Sequence, residues 1–598
     1  MPSHLNPSQQ QAVEYGGGHL LIVAGPGTGK THTLTHRIAA QISRLKDNQK
    51  ILAVTFTHHA AGEMKERLEK LIELPLTPSP PAGRAGLKKE GESGLNSKIT
   101  VGTFHAFCLD ILRAHANSLK DFRIASEDDI ETVVKICWPQ LSAKERSQQL
   151  KLIGHLKSKN ERPLNPPLCE RGGEGEFCLE YNQALRAKNL LDYDDLLLEA
   201  VRLLETSQNL CQTLQETYPL IFVDEYQDIN PVQHQLLLEL AGEKSVVTAI
   251  GDPDQSIYGF RGSDASLFQR FVEDFPGARV LTLTDNYRST ESLLKASGQV
   301  ILKNADAARQ ELAAQFHCEG HLTVYEAPTE RAEAEYVVHR IERMVGGTSL
   351  FSQDSRRVEI DQKAQRCFRG IAVLYRLNSQ RHCLQEAFDR SGIPYEVTGD
   401  KKLIDRKPVM EFLDAIEALP EGEPHISEKL GLLKSSTSWH KWFEKNPSWL
   451  KNVEQLIQVA RDFTTIRDLR NHLALQQPEE PLEYQADKVR LMTLHASKGL
   501  EFPAVFITGC EDGLIPLWRE GEDNGAEERR LFYVGMTRAK EELFLTCAKR
   551  RMMFGQTRFP EASPFLKDIQ DDLKRIEAAR QTTHRKSAKT STQMSLFD

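Results

Sequence analysis

A glycine-rich loop contains the residues with the clearest capacity for chemistry. The segment LLIVAGPGTGKT (20–31) passes from branched apolar residues through three glycines to Lys30 and Thr31. Glycines let backbone N–H groups turn toward a polyanion, and the following helix N-terminus adds partial positive charge. Lys30 can reach outer phosphates, and the Thr31 hydroxyl can ligate Mg²⁺. The pattern predicts a nucleoside triphosphate site. Its residues are Ala24, Gly25, Pro26, Gly27, Thr28, Gly29, Lys30 and Thr31.

Two carboxylates follow another apolar run, LIFVDE (220–225). Asp224 and Glu225 would lie at the carboxyl end of a buried strand, where ligands bind in open α/β sheets. There Asp224 can hold the metal, and Glu225 can orient and deprotonate the water that attacks the γ-phosphate. An Asp-Glu pair after a strand is by itself more often a solvated strand end. Together with the glycine loop it predicts hydrolysis.

Alternating strand-like and helix-like segments must position these groups. The apolar runs predict strands at 20–23, 51–57, 220–225 and 246–252 with helices between them, which is typical of a parallel α/β sheet. A second α/β unit follows. Its predicted strands are 277–283, 322–327, 370–376, two within 489–509, and a last one at 542–548.

Composition sets outer limits on the class of protein. A chain of 598 residues should form several domains, and its 40% hydrophobic and 27% charged content is typical of globular proteins. The net charge of −8 does not indicate a nucleic-acid binder, although it leaves room for a basic groove. Ten cysteines without a C-x-x-C pair argue against zinc ribbons, and no apolar run approaches the ~18 residues of a membrane span. We expect a cytoplasmic protein with no membrane partner.

The order of the motifs resembles that of one helicase family. They are LNPSQQQAV, AGPGTGKT, VTFT, GTFHAFC, DYDDLL, VDEYQD, GDPDQSIYGFRGSD, NYRST, LMTLHASKGLEF and RRLFYVGMTRAK. From Leu5 to about Lys540 the chain resembles the UvrD/Rep/PcrA-type superfamily 1 DNA helicases. The resemblance implies an α/β fold with two RecA-like P-loop domains, each with a parallel sheet and each interrupted by a helical insertion.

The implied domain boundaries follow from the motif positions. The first motor domain would comprise 1–105 and 190–280, with its insertion at 106–189. The second would comprise 281–405 and 487–566, with a shortened insertion at 406–486 and a disordered tail at 567–598. Two stretches rich in Pro and Gly, 75–98 and 162–177, are predicted to be surface insertions without a function.

The resemblance also implies roles at a site for ATP and Mg²⁺. Gln9 would hydrogen-bond the adenine, Tyr287 would stack on it, and Glu501 would contact the ribose. Gln255 would sense the γ-phosphate. Arg288 and Arg538, both from the second domain, would act as arginine fingers. An arginine supplied only on closure would make hydrolysis depend on domain movement.

A second set of residues would contact single-stranded DNA. Its members are Phe56, Thr103, His105, Tyr258, Phe260, Arg261, Asn378 and His495. Aromatic rings stack on bases of any identity, which suits a motor that must pass every sequence. The alternative is that Tyr258 and Phe260 are core aromatics. His58-His59 stand where the family usually has Asn-Lys, and His32 stands where an Arg often follows the Lys-Thr.

These features predict an ATP-dependent 3′-to-5′ DNA helicase in repair or replication, acting on single strands and single-strand/duplex junctions. The last six residues, QMSLFD (Gln593–Asp598), resemble the peptide that docks bacterial proteins on the DNA sliding clamp. Gln593, Leu596 and Phe597 would be its anchors. With the short second insertion, this peptide favours an alternative. The chain would then be a clamp-tethered translocase that strips proteins from single-stranded DNA with little unwinding.

Overall fold

The computed structural model describes most of the chain. The described residues are 4–72, 98–116, 119, 122–159, 174–308, 311–316, 320–346, 366–398, 402–418, 425–476, 487–519, 524–553 and 555–578. The predicted clamp peptide and most of the two Pro/Gly-rich stretches lie outside these ranges.

The strands and helices alternate along much of the chain. The strands are β1 (Leu20–Ala24), β2 (Ile51–Thr55), β3 (Ile99–Thr103), β4 (Arg123–Ile124), β5 (Leu190–Leu191), β6 (Leu220–Val223), β7 (Val246–Gly251), β8 (Arg279–Leu283), β9 (Asp285–Thr290), β10 (Ala313–Phe316), β11 (His321–Ala327), β12 (Ile371–Tyr375), β13 (Tyr395–Val397), β14 (Val489–Thr493), β15 (Phe502–Ile507), β16 (Ala539–Ala548), β17 (Arg551–Met553), β18 (Gln556–Arg558) and β19 (Arg575–Ala578). The helices are α1 (Pro7–Glu14), α2 (Lys30–Gln41), α3 (His58–Ile72), α4 (Phe104–His115), α5 (Glu127–Cys137), α6 (Ala143–Ser158), α7 (Glu174–Ala187), α8 (Tyr193–Thr206), α9 (Gln208–Thr217), α10 (Pro231–Leu240), α11 (Ser266–Asp274), α12 (Glu291–Ile301), α13 (Glu330–Val345), α14 (Arg381–Ser391), α15 (Val409–Glu417), α16 (Ile426–Lys434), α17 (Thr437–Lys445), α18 (Pro447–Ala460), α19 (Ile466–Leu475), α20 (Gly525–Met536) and α21 (Pro564–Lys567).

Two large parallel sheets form the centres of two lobes, which confirms the predicted α/β fold with two motor domains. The first sheet has the order β3-β2-β6-β7-β1-β8, and the second has the order β13-β14-β12-β15-β16-β11-β19. Every pairing within both sheets is parallel. Strands such as β2 and β12 are buried along their whole length because helices cover both faces of each sheet. Each lobe therefore presents the carboxyl ends of its strands at one edge.

Strand β8 corrects one of the sequence-based assignments. Residues 277–283 were expected in the second unit, with the boundary near 280, but β8 pairs with β1 from Leu20↔Arg279 to Ala24↔Leu283. The apolar pattern of a parallel strand shows that a strand is present, but it does not show which strand it pairs with. The first sheet thus extends to Leu283.

The carboxyl-terminal region also differs from the expectation. Strand 542–548 was predicted to be the last, and the tail to begin at 567. The chain instead continues through the antiparallel hairpin β17–β18 and adds β19 to the edge of the second sheet, where Val324 pairs with Ile576. Ile576 is 72% exposed, so this edge strand has little of the apolar burial that makes a strand recognisable.

The helical insertion of the second lobe packs against the first lobe. Helices α15–α19 share one continuous hydrophobic core with α4, α8 and α10. The backbone N–H of Glu127 donates to Asp405 (3.1 Å), and the ammonium of Lys402 lies 5.1 Å from the centre of the Tyr193 ring. A segment that interrupts the second lobe in sequence is therefore attached to the first lobe in space. Within the described residues, no helix has the length and apolar character needed to cross a lipid bilayer.

Candidate functional site

The glycine loop connects β1 to α2 at the carboxyl edge of the first sheet. Gly29 ends the loop in the left-handed conformation (φ 84°), and Lys30 begins α2. Gly27 also has a positive φ (69°), and a Cβ there would lie 2.5 Å from Cβ of Arg288. Only glycine fits this position, because the second lobe approaches the loop backbone directly. The Lys30 ammonium donates to the Ala24 carbonyl at 3.3 Å.

The two acidic residues lie directly after β6, as their spacing predicted. Burial and the neighbouring Glu225 raise the pKa of Asp224 to about 7. Burial acts to raise the pKa of Glu225 as well, but Lys30 and Lys498 outweigh it and the net shift is downward. Glu225 has a left-handed backbone (φ 52°, ψ 45°), a strained conformation for a residue with a side chain. The lysine and both carboxylates thus share one buried cleft.

The second lobe contributes two arginines to this cleft. Arg538 is 2% exposed and donates to Oε1 of Gln255 in the first lobe (3.1 Å) and to the carbonyls of Val534 (2.8 Å) and Leu500 (3.1 Å). Burial and the nearby Arg288 lower the pKa of Arg538 to about 9. Its positive charge is close enough to Glu225 to lower the pKa of that carboxyl.

Arg288 is positioned by a carboxylate of its own lobe. Its Nε donates to Glu501 (2.7 Å), which also pairs with Lys540 (2.7 Å). Burial acts to raise the pKa of Glu501, but Arg288 and Lys540 hold it at about 2. The glutamate expected at the ribose therefore also keeps Arg288 above the glycine loop.

The residues expected to bind the adenine meet at the other end of the loop. The Gln9 amide donates to the Thr28 carbonyl (2.9 Å), and its oxygen accepts from the Asn6 backbone (3.0 Å). The amide of Asn6 donates to the Tyr287 hydroxyl (2.9 Å), and the Tyr287 backbone N–H donates to the Gly27 carbonyl (2.9 Å). Helix α1, the loop and β9 thus form one corner of the cleft. The adenine contacts of Gln9 and Tyr287 stay predictions.

A chain of hydrogen bonds leads from Glu225 to Arg538 through two glutamines. The Gln227 amide donates to Glu225, and its oxygen accepts the backbone N–H of Asp252 (3.0 Å). The Asp252 carboxylate accepts from Gln255 (2.6 Å), which in turn accepts from Arg538. Gln227 is fully buried. The acidic residues after β6 in the first lobe and the arginine of the second lobe therefore belong to one connected network.

Aromatic residues follow directly after Gln255. Tyr258 stacks on Phe56 (ring centres 4.9 Å apart), and Phe260 meets His495 edge-on at 5.2 Å. Arg261 lies over both Tyr258 and Phe260, at 5.2 and 5.5 Å. Tyr258 is 5% exposed whereas Phe260 is 48% exposed. Phe260 thus has a ring available to a base, and Tyr258 has the burial expected of a core aromatic.

A cavity of about 990 Å³ opens beside these rings. Phe56, His105, Tyr258, Phe260 and Arg261 line it. The other predicted DNA residues do not: Thr103 caps α4, Asn378 is exposed on a separate turn, and His495 contacts the row edge-on at Phe260. Burial lowers the pKa of His105 to about 3, so this ring is neutral at physiological pH.

The departures from the family pattern lie outside this cavity. His58 begins α3 and lies 5.6 Å, ring to ring, from His472 of the second insertion. Burial and His472 lower its pKa to about 4, so it carries no cation at neutral pH. His32 packs against His36, and burial lowers its pKa to about 4.

Sequence reasoning missed several residues that complete the site. Lys498 pairs with Asp228 across the lobes and donates to the Gln255 carbonyl (2.6 Å). The Asn286 amide donates to the Pro26 carbonyl (2.6 Å), and Tyr193 lines the cavity while stacked on His105 at 3.6 Å. Each lies in a recognised motif (LHASKGLEF, NYRST, DYDDLL), which was the available signal.

Comparison with known proteins gives a consistent result over nearly the whole chain. Residues 5–276 match the UvrD/REP helicase N-terminal domain, and residues 281–421 and 423–550 match the UvrD-like helicase C-terminal domain. The chain is 31% identical to the ATP-dependent DNA helicase PcrA of Staphylococcus epidermidis, over 98% of this chain and 89% of that protein. It is 29% identical to the ATP-dependent DNA helicase PcrA of Staphylococcus aureus, over 96% of this chain and 87% of that protein.

Proposed function

The chain belongs to the UvrD/REP helicase family, and from this premise we propose that it hydrolyses ATP to move 3′ to 5′ along single-stranded DNA. At a single-strand/duplex junction this movement separates the strands. The observation that supports the proposal is the bond between Arg538 and Gln255, because it joins the hydrolytic cleft to the segment that carries Phe260. The direction of travel is what the family resemblance implies.

The residues around the cleft have the chemistry that ATP hydrolysis requires. The glycine-loop amides and Lys30 hold the phosphates, and Glu225 orients the attacking water. Arg288 and Arg538 neutralise the charge that develops on the transferring phosphoryl group. The Thr31 hydroxyl and Asp224 carboxylate are hard oxygen donors of the kind that Mg²⁺ prefers. Bound there, the ion would neutralise phosphate charge.

Coupling to DNA follows from the short path between the two sites. Only two residues separate Gln255, which contacts Arg538, from Tyr258, which stacks on Phe56. A strand that displaces this aromatic row moves the backbone that positions Gln255. Nucleotide turnover and a step along DNA thereby become one event.

A pair of tailed duplexes tests the proposal. We expect the purified chain with ATP and Mg²⁺ to displace the shorter strand from a duplex with a 3′ single-stranded tail and to leave a matched 5′-tailed duplex intact. ATP turnover should rise strongly when single-stranded DNA is added. Equal turnover with and without DNA would contradict the motor proposal. Displacement from the 5′-tailed duplex alone would show that the chain moves in the opposite direction.

One observation favours the second candidate, a translocase that removes proteins and unwinds little. Helices α15–α19 share the core of the first lobe, so the second insertion packs against another part of the same chain. A streptavidin-displacement assay on single-stranded DNA, run beside the tailed duplexes, separates the two candidates. Unwinding by the isolated chain rejects the second. Displacement without unwinding, together with binding to the sliding clamp that requires Gln593–Asp598, supports it.

Lys498 should be required for the two lobes to close. Its ammonium neutralises Asp228, whose side chain is fully buried, and lies 5.2 Å from the Tyr258 ring centre. Burial raises the pKa of Asp228 to about 7 even though Lys498 acts to lower it. Removing one partner of a buried pair typically costs about 3–5 kcal/mol. We expect Lys498→Ala to lower DNA-stimulated kcat at least tenfold, measured by phosphate release at saturating single-stranded DNA.

A double variant shows whether the unpaired charge causes this loss. Asp228→Asn combined with Lys498→Ala leaves no uncompensated carboxylate, so it should recover part of the rate. The loss of activation free energy in the double variant can be compared with the sum of the losses in the two single variants. If the two values are equal, the ion pair is not the coupling element.

A further inference from the structure

Helix α1 is fixed at its C-terminus to α2, the helix that begins at Lys30. The Arg37 guanidinium of α2 is 2% exposed and donates to the carbonyls of Ala12 (2.8 Å) and Tyr15 (2.7 Å). The last carbonyls of a helix have no partner within the helix, and here one buried guanidinium supplies it. Helix α1 is therefore a rigid part of the first lobe.

The other end of α1 contacts the second lobe through a single side chain. The Asn6 amide nitrogen donates to the Asp285 carboxylate (3.0 Å) and to the Tyr287 hydroxyl (2.9 Å). Both partners lie on β9, which is joined to the second sheet by a hydrogen bond from the Ser289 hydroxyl to the Ala539 carbonyl (2.6 Å). Asn6 therefore bonds across the cleft between the two lobes.

Capping of α1 does not require this amide nitrogen. The Asn6 side-chain oxygen accepts the backbone N–H of Gln9 (2.7 Å), and the Asn6 backbone N–H donates to the Gln9 side chain (3.0 Å), which is a capping box. Helices α5 and α6 begin with the same box, and there the caps are Ser126 and Ser142. Since serine caps a helix about as well as asparagine, the contacts with the second lobe explain the amide at position 6.

The Gln9 amide has one donor and one acceptor left for a ligand. A glutamine side chain has two N–H donors and an oxygen that accepts two bonds. Among the described residues, one of each is used, by the Thr28 carbonyl and by the Asn6 backbone N–H. The remaining pair matches adenine, which offers an acceptor at N7 beside a donor at N6, whereas guanine offers two acceptors there.

We propose that Asn6 makes turnover depend on the base, because it holds Gln9 of the first lobe in register with Tyr287 of the second. The proposal rests on the proposed function and on the predicted adenine contacts of those two residues. Asn6 is a positioning residue, since it acts through Gln9 and Tyr287. A base that satisfies Tyr287 but not Gln9 closes the lobes less often, so the arginines of the second lobe are positioned less often.

Asn6→Ser tests this role, because it keeps the cap and removes both bonds to the second lobe. Steady-state hydrolysis of ATP and of GTP by the full chain at saturating oligo(dT) gives kcat/KM for each base. We expect kcat/KM for ATP to fall about tenfold and that for GTP to fall less, so that base discrimination decreases. Gln10→Ala, an exposed change on the same helix, should keep the wild-type ratio. Equal losses for the two nucleotides, or no loss, overturn the proposal.

A reciprocal exchange tests the bond itself. Asn6→Asp also caps α1 but places a carboxylate opposite Asp285, so it should lower kcat/KM for ATP further than Asn6→Ser does. Adding Asp285→Asn places an amide donor opposite that carboxylate and should recover most of the wild-type rate and of the ATP-to-GTP ratio. A double variant as slow as Asn6→Asp alone overturns the proposal. If the wild-type chain hydrolyses neither nucleotide with DNA present, the proposed function itself fails.

Discussion

Arg538→Ala is expected to reduce kcat for ATP by at least about 10³-fold while leaving nucleotide binding largely intact. The guanidinium is buried in the cleft, and the second lobe fixes its direction through the Val534 and Leu500 carbonyls. In the proposed mechanism, an arginine held in this way stabilises the charge that develops on the transferring phosphoryl group. Its loss therefore affects the transition state more than the bound ground state. Steady-state ATPase at saturating DNA and titration with a fluorescent ATP analogue measure the two quantities.

Two companion variants make this result specific. Arg538→Lys keeps a positive charge but loses the planar fork, so it should recover little of the rate. Arg366→Ala removes an equally charged group from the same lobe, one that pairs with Glu541 and Glu542 instead of facing the cleft, and it should leave kcat unchanged. Normal hydrolysis by Arg538→Ala would show that the assignment of the finger is wrong. A large drop in melting temperature for that variant alone would instead indicate a structural role.

The parallel sheets were predictable because their strands are short apolar runs between turn signals. The segments around Leu20, Ile51 and Leu220 satisfy that pattern, and each is a strand of the first sheet. The residues of a strand do not show which neighbouring strand it pairs with. For that reason β8 was assigned to the wrong sheet, and the exposed β19 was missed.

The same distinction applies to the candidate site: residues set by local sequence were predictable, and residues brought together by long-range packing were not. The glycine loop and the Asp224-Glu225 pair each depend on a few consecutive residues, so their place at the strand ends could be predicted. The ion pair of Lys498 with Asp228 joins positions 270 residues apart, and the lining of the cavity by α6 depends on how an insertion folds back on the first lobe. Such contacts follow from tertiary packing, which no local pattern encodes.

Lys30→Ala should abolish ATP hydrolysis, with a loss of at least about 10³-fold, and should leave binding to single-stranded DNA intact. Lys30 is a cation that lies at the loop. Burial acts to raise the pKa of Glu225 and raises the pKa of Asp252 overall, and the charge of Lys30 opposes both effects. Without it the phosphates lose a ligand and the carboxylates lose their counter-charge. The DNA cavity is lined by other residues, so its affinity should not change.

A lysine elsewhere in the first lobe provides the matched control for this prediction. Lys46→Ala removes the same charge from an exposed position and should hydrolyse ATP at the wild-type rate. Lys30→Ala should then bind oligo(dT) as tightly as Lys46→Ala in anisotropy measurements, yet displace no strand from a 3′-tailed duplex. Hydrolysis that survives in Lys30→Ala would place the nucleotide elsewhere. Loss of DNA binding in Lys30→Ala would instead show that the nucleotide cleft and the DNA cavity cannot be separated. The charge of Lys30 would then be stabilising the closed arrangement of both lobes.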